Sequence, residues 1–216
     1  LSVANVVGVL MAAAMFAMFF FSALYLQLVL DYSPLEVGLA FLPSTLVWGF
    51  SSLFLSDRLV MRFGIKTPLV GGLCFFILGL LLFARAPVDG SFTMDVLLPM
   101  ILFGLGGGIT FNPLLLAAMG DVEPQDSGLA SGVVNTAFMM GGALGLAVLA
   151  AIATSRTENL LSSGESQVEA LTGGYHAAFL VGALFAAAAG ALAAALLRPV
   201  SAPSHAMAEP VTEASS

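Results

Sequence analysis

The chain has 216 residues, of which 59% are hydrophobic and only 9% are charged, and its mean hydropathy is +1.03. Soluble globular domains carry about 25% charged residues, so this composition excludes an ordinary soluble domain. The formal net charge of −7 at pH 7, together with the absence of any basic stripe in the sequence, argues against a nucleic-acid partner.

The charged residues are confined to short stretches between long apolar windows. All 19 of them lie outside six windows, each at least 18 residues long. The windows cover residues 1–30, 37–56, 67–84, 96–120, 127–155 and 170–197. A helix needs about 20 apolar residues to cross the ~30 Å hydrocarbon core of a bilayer. The pattern therefore predicts an all-α membrane protein with six transmembrane helices.

The first two helices are separated by the turn DYSPLE (31–36). Asp31 or Ser33 can cap the second helix, and Pro34 suits its first turn, where a missing N–H has no consequence. Between the fourth and fifth helices lies GDVEPQD (120–126), in which Asp121 or Glu123 can act as the cap. The six helices are predicted over about 1–30, 34–56, 67–84, 94–119, 124–153 and 175–197.

Two further stretches complete the chain. The residues between the fifth and sixth helices, TSRTENLLSSGESQVEALTGG, predict a long polar loop. Residues 1–198 then form one six-helix unit. Residues 199–216 are rich in Pro, Ser and Ala, and they predict a disordered tail.

Small and polar residues inside the helices predict close packing and local distortion. Glycines at four-residue spacing remove side chains along one stripe and let a neighbouring helix approach. These glycines are Gly104, Gly108, Gly128, Gly132, Gly141 and Gly145. Pro113 leaves the carbonyl of Ile109 without its usual partner, so the fourth helix can kink and present polar backbone to a cavity. Neutral polar residues also lie at depth, with interhelical hydrogen bonds as the first explanation: Asn5, Gln27, Ser44, Thr45, Thr110, Asn112, Asn135 and Thr136.

The apolar windows contain no ionisable residue except His176, near the start of the last one. Intramembrane ionisable groups mark ion and proton paths, so we expect the main carboxylate of any proton-coupled mechanism to lie outside this chain. The sequence has no HExxH motif, a single cysteine, and no Ser/His/Asp set at matching depth. It therefore predicts no metal, no cofactor and no enzymatic activity.

Lysine and arginine predict the orientation in the membrane. The links after the second and fourth helices and the tail lie on one side, and the other two links lie on the opposite side. The first side carries Arg58, Arg62, Lys66 and Arg198, and the second carries Arg85 and Arg156. Four basic residues against two place both ends of the segment in the cytoplasm.

The link SDRLVMRFGIK (56–66) resembles the loop motif G-x-L-x-D-R-x-G-x-R/K of the major facilitator superfamily. Arg62, Gly64 and Lys66 match the motif, whereas Asp57 replaces its first glycine and Met61 replaces its aspartate. Asp57 precedes Met61 by four residues and shares its helical face, where its carboxylate can partly replace the missing one. The resemblance implies a cytoplasmic gating role for Asp57, Arg58, Arg62, Gly64 and Lys66.

Three longer segments resemble the last six helices of the fourteen-helix drug/proton antiporter branch, the EmrB/QacA type. They are PLEVGLAFLP (34–43), FGLGGGITFNPLLLAAM (103–119) and DSGLASGVVNTAFMMGGALGLAVLA (126–150). The resemblance implies the C-terminal half of a bacterial inner-membrane efflux pump that exchanges small amphipathic substrates for protons. Alternating access then uses a site between this half and a missing N-terminal half. In this family the first and fourth helices of this half line the central path. The resemblance therefore implies five cavity residues: Phe16, Phe20, Gln27, Thr110 and Asn112.

Two alternatives remain open at the level of the sequence. The first is a facilitator or importer of another small solute, and the second is a membrane protein that acts as an interaction module without transport. The chain begins with Leu inside an apolar run, so we expect a fragment or a misplaced start. About eight further apolar windows in the upstream reading frame would favour the antiporter.

Overall fold

A computed structural model describes residues 2–120 and 122–196, and the regular secondary structure within them is helical. Its six long helices are α1 (Ser2–Leu28), α2 (Pro34–Phe63), α3 (Lys66–Phe83), α4 (Phe92–Met119), α5 (Ser127–Ser162) and α6 (Gln167–Leu196). Each helix is long and apolar enough to cross a membrane, which confirms the predicted all-α membrane fold. Asp121, Arg198 and the predicted tail at 199–216 lie outside the described residues.

The six helices form two groups of three with the same arrangement of neighbours. Helix α1 packs against α5 and α6, and α4 packs against α2 and α3. The first helix of each half of the chain, α1 or α4, thus packs against the second and third helices of the other half. This exchange indicates two three-helix repeats, α1–α3 and α4–α6, which are typical of secondary transporters. The most apolar windows of α1 and α4 are 56% and 50% buried, against 22% for those of α2 and α5. Helices α1 and α4 are therefore central.

Aromatic rings fill the space between α3 and its neighbours α4 and α6. The rings of Phe76 in α3 and Phe103 in α4 lie 4.4 Å apart, and those of Phe83 and Phe179 are stacked at 5.2 Å. All four side chains are almost completely buried. Because lipid is as apolar as these rings, their contribution is close packing and dispersion rather than exclusion of water.

Four of the six glycines in the predicted packing stripes lie against a neighbouring helix. A Cβ atom built on Gly104 or on Gly108 would lie 2.5 Å from the carbonyl oxygen of Ser44 or of Trp48, respectively, both in α2. A Cβ atom on Gly141 or on Gly145 would lie 2.8 Å from a Cα atom of α1. These glycines allow α4 to approach α2, and α5 to approach α1, at backbone distance.

Gly128 and Gly132 differ from this prediction. Apart from the adjacent residues and the backbone of its own helix, no described atom lies within 4 Å of a Cβ atom built on either residue. Both glycines are exposed, because the first turns of α5 lie at the edge of the helical bundle. The packing predicted for this pair therefore does not occur within the described chain.

The ends of several helices also differ from the predicted boundaries. Helix α5 continues to Ser162 and α6 begins at Gln167, so the predicted long loop is a helical hairpin with a four-residue connection. Gly164 adopts φ +92° in this connection, a left-handed conformation that favours glycine. The next helix starts with a capping box, in which the Ser166 N–H donates to the Glu169 carboxylate at 3.1 Å. An apolar window predicts only the part of a helix that suits lipid. The residues that end α5 and start α6, Gly164 and Ser166, lie between the two predicted windows.

The starts of α2 and α5 show which predicted caps are used. Ser33 is the N-cap of α2 and forms a capping box with Glu36. Helix α5 follows a short 3₁₀ turn, and Asp126 occupies its N-cap position without a capping side-chain hydrogen bond. Glu123, one of the predicted caps, instead accepts a hydrogen bond from the side chain of Gln125 at 2.5 Å.

The loop between α3 and α4 is attached to two other helices. The Tyr25 hydroxyl of α1 donates to the carbonyl oxygen of Pro87 at 2.6 Å. The His176 Nε2 atom of α6 lies 2.8 Å from the carbonyl oxygen of Ala86. A carbonyl only accepts, so this ring nitrogen carries the proton. His176 thus has a structural role at the end of the bundle opposite the α2–α3 link.

Candidate functional site

A cavity of about 310 Å³ lies where α1 begins, α4 ends and α5 begins. Its size is at the lower end of the range for small-molecule sites. Helix α1 contributes Ala4, Asn5 and Gly8, helix α4 contributes Phe111, Leu114, Leu115 and Ala118, and helix α5 contributes Ser131, Val134, Asn135, Phe138 and Met139. The wall is thus mainly apolar and aromatic, with three polar side chains.

The aromatic wall of the cavity extends from α5 across α4 to α2. The rings of Phe111 and Phe138 meet edge to face at 5.9 Å and 85°. On its other side, the ring of Phe111 lies 6.3 Å from Trp48. Phe111 itself is 37% exposed, so this wall is accessible from the open side of the cavity.

Gly8 provides part of the space on the α1 side. A Cβ atom on this residue would lie 3.9 Å from Leu114 and 4.0 Å from Phe138, at ordinary contact distance. A methyl group would therefore fit there, whereas a larger side chain would project into the cavity and reduce its volume.

Two amide side chains line the cavity. Asn5 and Asn135 form no hydrogen bond with any residue that the structure describes, and the Oδ1 atom of Asn5 is shielded from solvent. Ser131 precedes Asn135 by one helical turn on the same face of α5. None of the residues that line the cavity is charged.

The end of α4 that carries Phe111 is held against a distorted part of α2. Helix α2 is π-helical over Ser51–Ser56, between the α-helical stretches Pro34–Phe50 and Asp57–Phe63. The Asn112 Nδ2 atom donates to the carbonyl oxygen of Ser52 at 3.0 Å. Such π-helical stretches are frequent at functional sites.

A second contact between α4 and the π-helical stretch of α2 bears on the prediction made from Pro113. The proline removes the usual partner of the Ile109 carbonyl, and the Ser56 hydroxyl donates to that oxygen at 3.4 Å. The carbonyl is therefore satisfied by α2 rather than presented to the cavity. This gives the end of α4 a second polar attachment to the π-helical stretch, besides the one made by Asn112.

None of the five residues implied as cavity residues lines this cavity. The ring of Phe16 packs near Gly142, Phe20 is 43% exposed, and Gln27 is exposed near the far end of α1. Thr110 is fully buried, and its hydroxyl donates to the carbonyl oxygen of its own helix at Gly106, 2.7 Å away. Asn112 uses its amide in the bond to α2.

The residues that do line the cavity carry only a weak signal in the sequence. Asn5 and Asn135 stand out there as polar residues at membrane depth, but so do six others. Their convergence depends on how α1 and α5 cross, which no local pattern specifies.

The predicted gating residues lie at the end of α2 and the start of α3. Asp57, Arg58 and Arg62 are exposed on the last turns of α2, so most of the predicted link is helical. Gly64 ends α2 with φ +74°, and its N–H donates to the carbonyl oxygen of Val60 at 2.9 Å.

The basic side chains of this link remain without an acidic partner in the described chain. The Arg62 guanidinium lies 5.3 Å from the centroid of the Phe63 ring. The structure brings neither Arg62 nor Arg58 into an ion pair with Asp57. Lys66 begins α3 and is half-buried. The exposed charges are therefore available to groups outside the described residues.

Comparison with known proteins identifies the family. The family model described as Major Facilitator Superfamily matches residues 3–146. The chain is 37% identical over 178 residues to the puromycin resistance protein pur8 of Streptomyces alboniger, which covers 79% of this chain and 35% of pur8. It is 33% identical to the cephamycin export protein CmcT of Amycolatopsis lactamdurans, covering 71% of this chain and 32% of CmcT. The multidrug resistance protein Stp of Mycobacterium tuberculosis is 32% identical, covering 64% of this chain and 25% of Stp.

These matches decide the class of protein. The chain spans about a third of the length of the first two relatives, 35% and 32%. The family model and the relatives named for export and resistance place the chain in a family of transport proteins rather than of enzymes, as the sequence predicts. With six helices apolar enough to span a membrane and a family model that covers most of them, this chain belongs to the major facilitator superfamily.

Proposed function

We propose that this chain is the C-terminal half of a bacterial inner-membrane efflux transporter of the fourteen-helix drug/proton antiporter branch. The complete transporter exports small amphipathic compounds in exchange for protons by alternating access, and both ends of the present segment are cytoplasmic. The observation that carries the proposal is the cavity between α1, α4 and α5 in a chain of this family.

The chemistry of the cavity supports a small amphipathic substrate. Its aromatic and aliphatic wall binds apolar groups, and its amides and hydroxyl can orient a polar group. The relatives named for cephamycin export and puromycin resistance support the same class of compound. The length of these relatives supports a missing second half, against which the exposed faces of α2 and α5 would pack.

The proposed proton coupling depends on residues outside this chain. Between their charged ends, the apolar windows contain no Asp or Glu, so a carboxylate that carries protons through the membrane would belong to the missing half. The excess of Lys and Arg in the link after α2 supports the cytoplasmic placement of that link.

The test uses the complete gene in a bacterial host that lacks its main efflux pumps. We expect energised cells to extrude ethidium, and we expect a protonophore to abolish the extrusion. Gly8→Leu, which projects a side chain into the cavity, should lower the extrusion rate severalfold at an equal membrane level. Gly71→Leu is the matched control, because a Cβ atom at that position has no described atom of another helix within 4 Å.

Each other outcome excludes part of the proposal. Extrusion that survives the protonophore contradicts proton antiport, and uptake instead of extrusion indicates an importer. A reading frame that starts next to Leu1 and yields no transport would favour an interaction module. Equal extrusion by the Gly8 variant and by the control would remove the cavity from the transport path.

A further inference from the structure

The cavity contains unused hydrogen-bonding groups that packing alone does not explain. The Oδ1 atom of Asn5 is shielded from solvent and accepts no hydrogen bond from the described chain. Buried polar side-chain atoms are normally paired, so an unpaired one calls for a partner. By contrast, the amide of Asn112, on the neighbouring helix, is used in the bond to Ser52.

The two free amides belong to different helices and reach the same space. Asn5 lies near the start of α1, and Asn135 lies about two turns into α5, one turn after Ser131. Rotation about the last side-chain bond of an asparagine meets only a low barrier, so Asn5 can turn its oxygen toward the cavity. An asparagine amide also both donates and accepts hydrogen bonds.

The remaining wall determines what kind of group the amides can recognise. The rings of Phe111 and Phe138 lie beside them, and these rings suit an aromatic part of a ligand. None of the lining residues supplies a charge. A charged group at this place would lose its hydration without gaining an ionic partner from this half, whereas a neutral polar group would gain hydrogen bonds. The charge of a cation such as ethidium would therefore have to be met by the missing half.

We propose that Asn5 and Asn135 form a neutral recognition site for an uncharged aromatic compound that carries a primary amide or a similar donor–acceptor group. The aromatic part packs against Phe111 and Phe138, and the polar group bonds to the two asparagine amides. This proposal rests on the proposed function and names one substrate class of the same cavity.

The test compares two uncharged probes of nearly equal shape, 2-naphthamide and methyl 2-naphthoate. The ester keeps an acceptor but has lost both N–H donors. Equilibrium dialysis measures the binding of each probe to the complete transporter in nanodiscs, and empty nanodiscs give the partition into lipid. We expect the amide to bind about fivefold more tightly than the ester, since the gain is one or two neutral hydrogen bonds.

The variants locate this preference at the two asparagines. Asn5→Leu and Asn135→Leu should each reduce the ratio of the two affinities to below about twofold, while the ester, which can lose only the bond to its carbonyl oxygen, still binds. Residual binding of the ester above the partition into empty nanodiscs shows that the cavity is still folded. Thr45→Val is the matched control, because Thr45 is exposed and its hydroxyl bonds only to its own helix. It should leave the ratio unchanged.

The outcomes separate this inference from the proposed function. Equal binding of the two probes, no binding of either, or a preference that survives both asparagine variants overturns the recognition site. Ethidium efflux is measured separately, in cells that express the same variants. If the amide preference is absent but efflux is intact, the recognition site is excluded and the proposed function still stands. If the amide preference is intact but no efflux occurs, the proposed transport function is contradicted and the recognition site is not.

Discussion

Replacing Gly106 by alanine introduces a methyl group where α4 meets the backbone of α3. The new Cβ atom would lie 2.5 Å from the backbone nitrogen of Phe76 and 2.6 Å from the carbonyl oxygen of Gly72. Ordinary contact begins at 3.4 Å, so the two helices would have to separate by about 0.9 Å. Backbone atoms cannot rotate away as a side chain can.

The opposite side of α4 prevents a simple shift. Gly104 and Gly108 lie two residues before and after Gly106, on the other face of the helix, and both approach carbonyl oxygens of α2. Helix α4 is therefore confined between α3 and α2. Overpacking typically destabilises by about 1–3 kcal/mol, and this confinement favours the upper value. The higher helix propensity of alanine offsets about 1 kcal/mol.

We therefore expect Gly106→Ala to lower the free energy of unfolding by about 2 kcal/mol. The assay is SDS-induced unfolding of the complete transporter in mixed micelles, followed by circular dichroism. Gly71→Ala is the control, because a Cβ atom there meets nothing within 4 Å. It should be neutral or stabilising by up to about 1 kcal/mol.

The reasoning fails if Gly106→Ala unfolds at the same SDS fraction as the parent protein. It also fails if Gly71→Ala is destabilised equally, since the effect would then follow from loss of glycine itself rather than from close approach.

Three further changes test other contacts. Asn112→Leu removes the bond to Ser52 and should lower the free energy of unfolding by about 1 kcal/mol in the same assay, and an unchanged value would mean that the bond contributes nothing. Arg62→Ala in the complete protein should impair ethidium efflux at a normal membrane level, as the motif resemblance implies, and unimpaired efflux would contradict a gating role. Tyr25→Phe removes the 2.6 Å bond to Pro87 and should accelerate amide hydrogen exchange in the loop after α3, whereas unchanged protection would show that the loop is held otherwise.

The packing of the glycine stripes was only partly predictable. Spacing identifies a stripe without a side chain, but not whether a helix faces it. Gly104 and Gly108 face α2, whereas Gly128 and Gly132, with the same spacing, face no described residue. The difference depends on where α5 lies in the bundle, and helix spacing contains no information on that.

The candidate site was the least predictable part. Thr110 and Asn112 are polar residues on a central helix, and sequence reasoning assigns them to a cavity. In the structure, the Thr110 hydroxyl bonds to its own helix at Gly106, and the Asn112 amide bonds to Ser52 of α2. The outcome depends on the rotation of α4 about its axis, which is set by its contacts with α2 and α3.

The sequence by itself determined the six membrane helices and their class. Long windows without charge are enough to predict these helices. In lipid, an apolar chain forms a helix because the helix satisfies all of its own backbone hydrogen bonds. Ser33 and Glu36 likewise specify the start of α2, because their capping bonds are local. Tertiary structure alone decided that Asn5 and Asn135 line the same cavity and that the Ser56 hydroxyl bonds to the Ile109 carbonyl. These residues are far apart in the chain, and their geometry follows from how close the helices can pack.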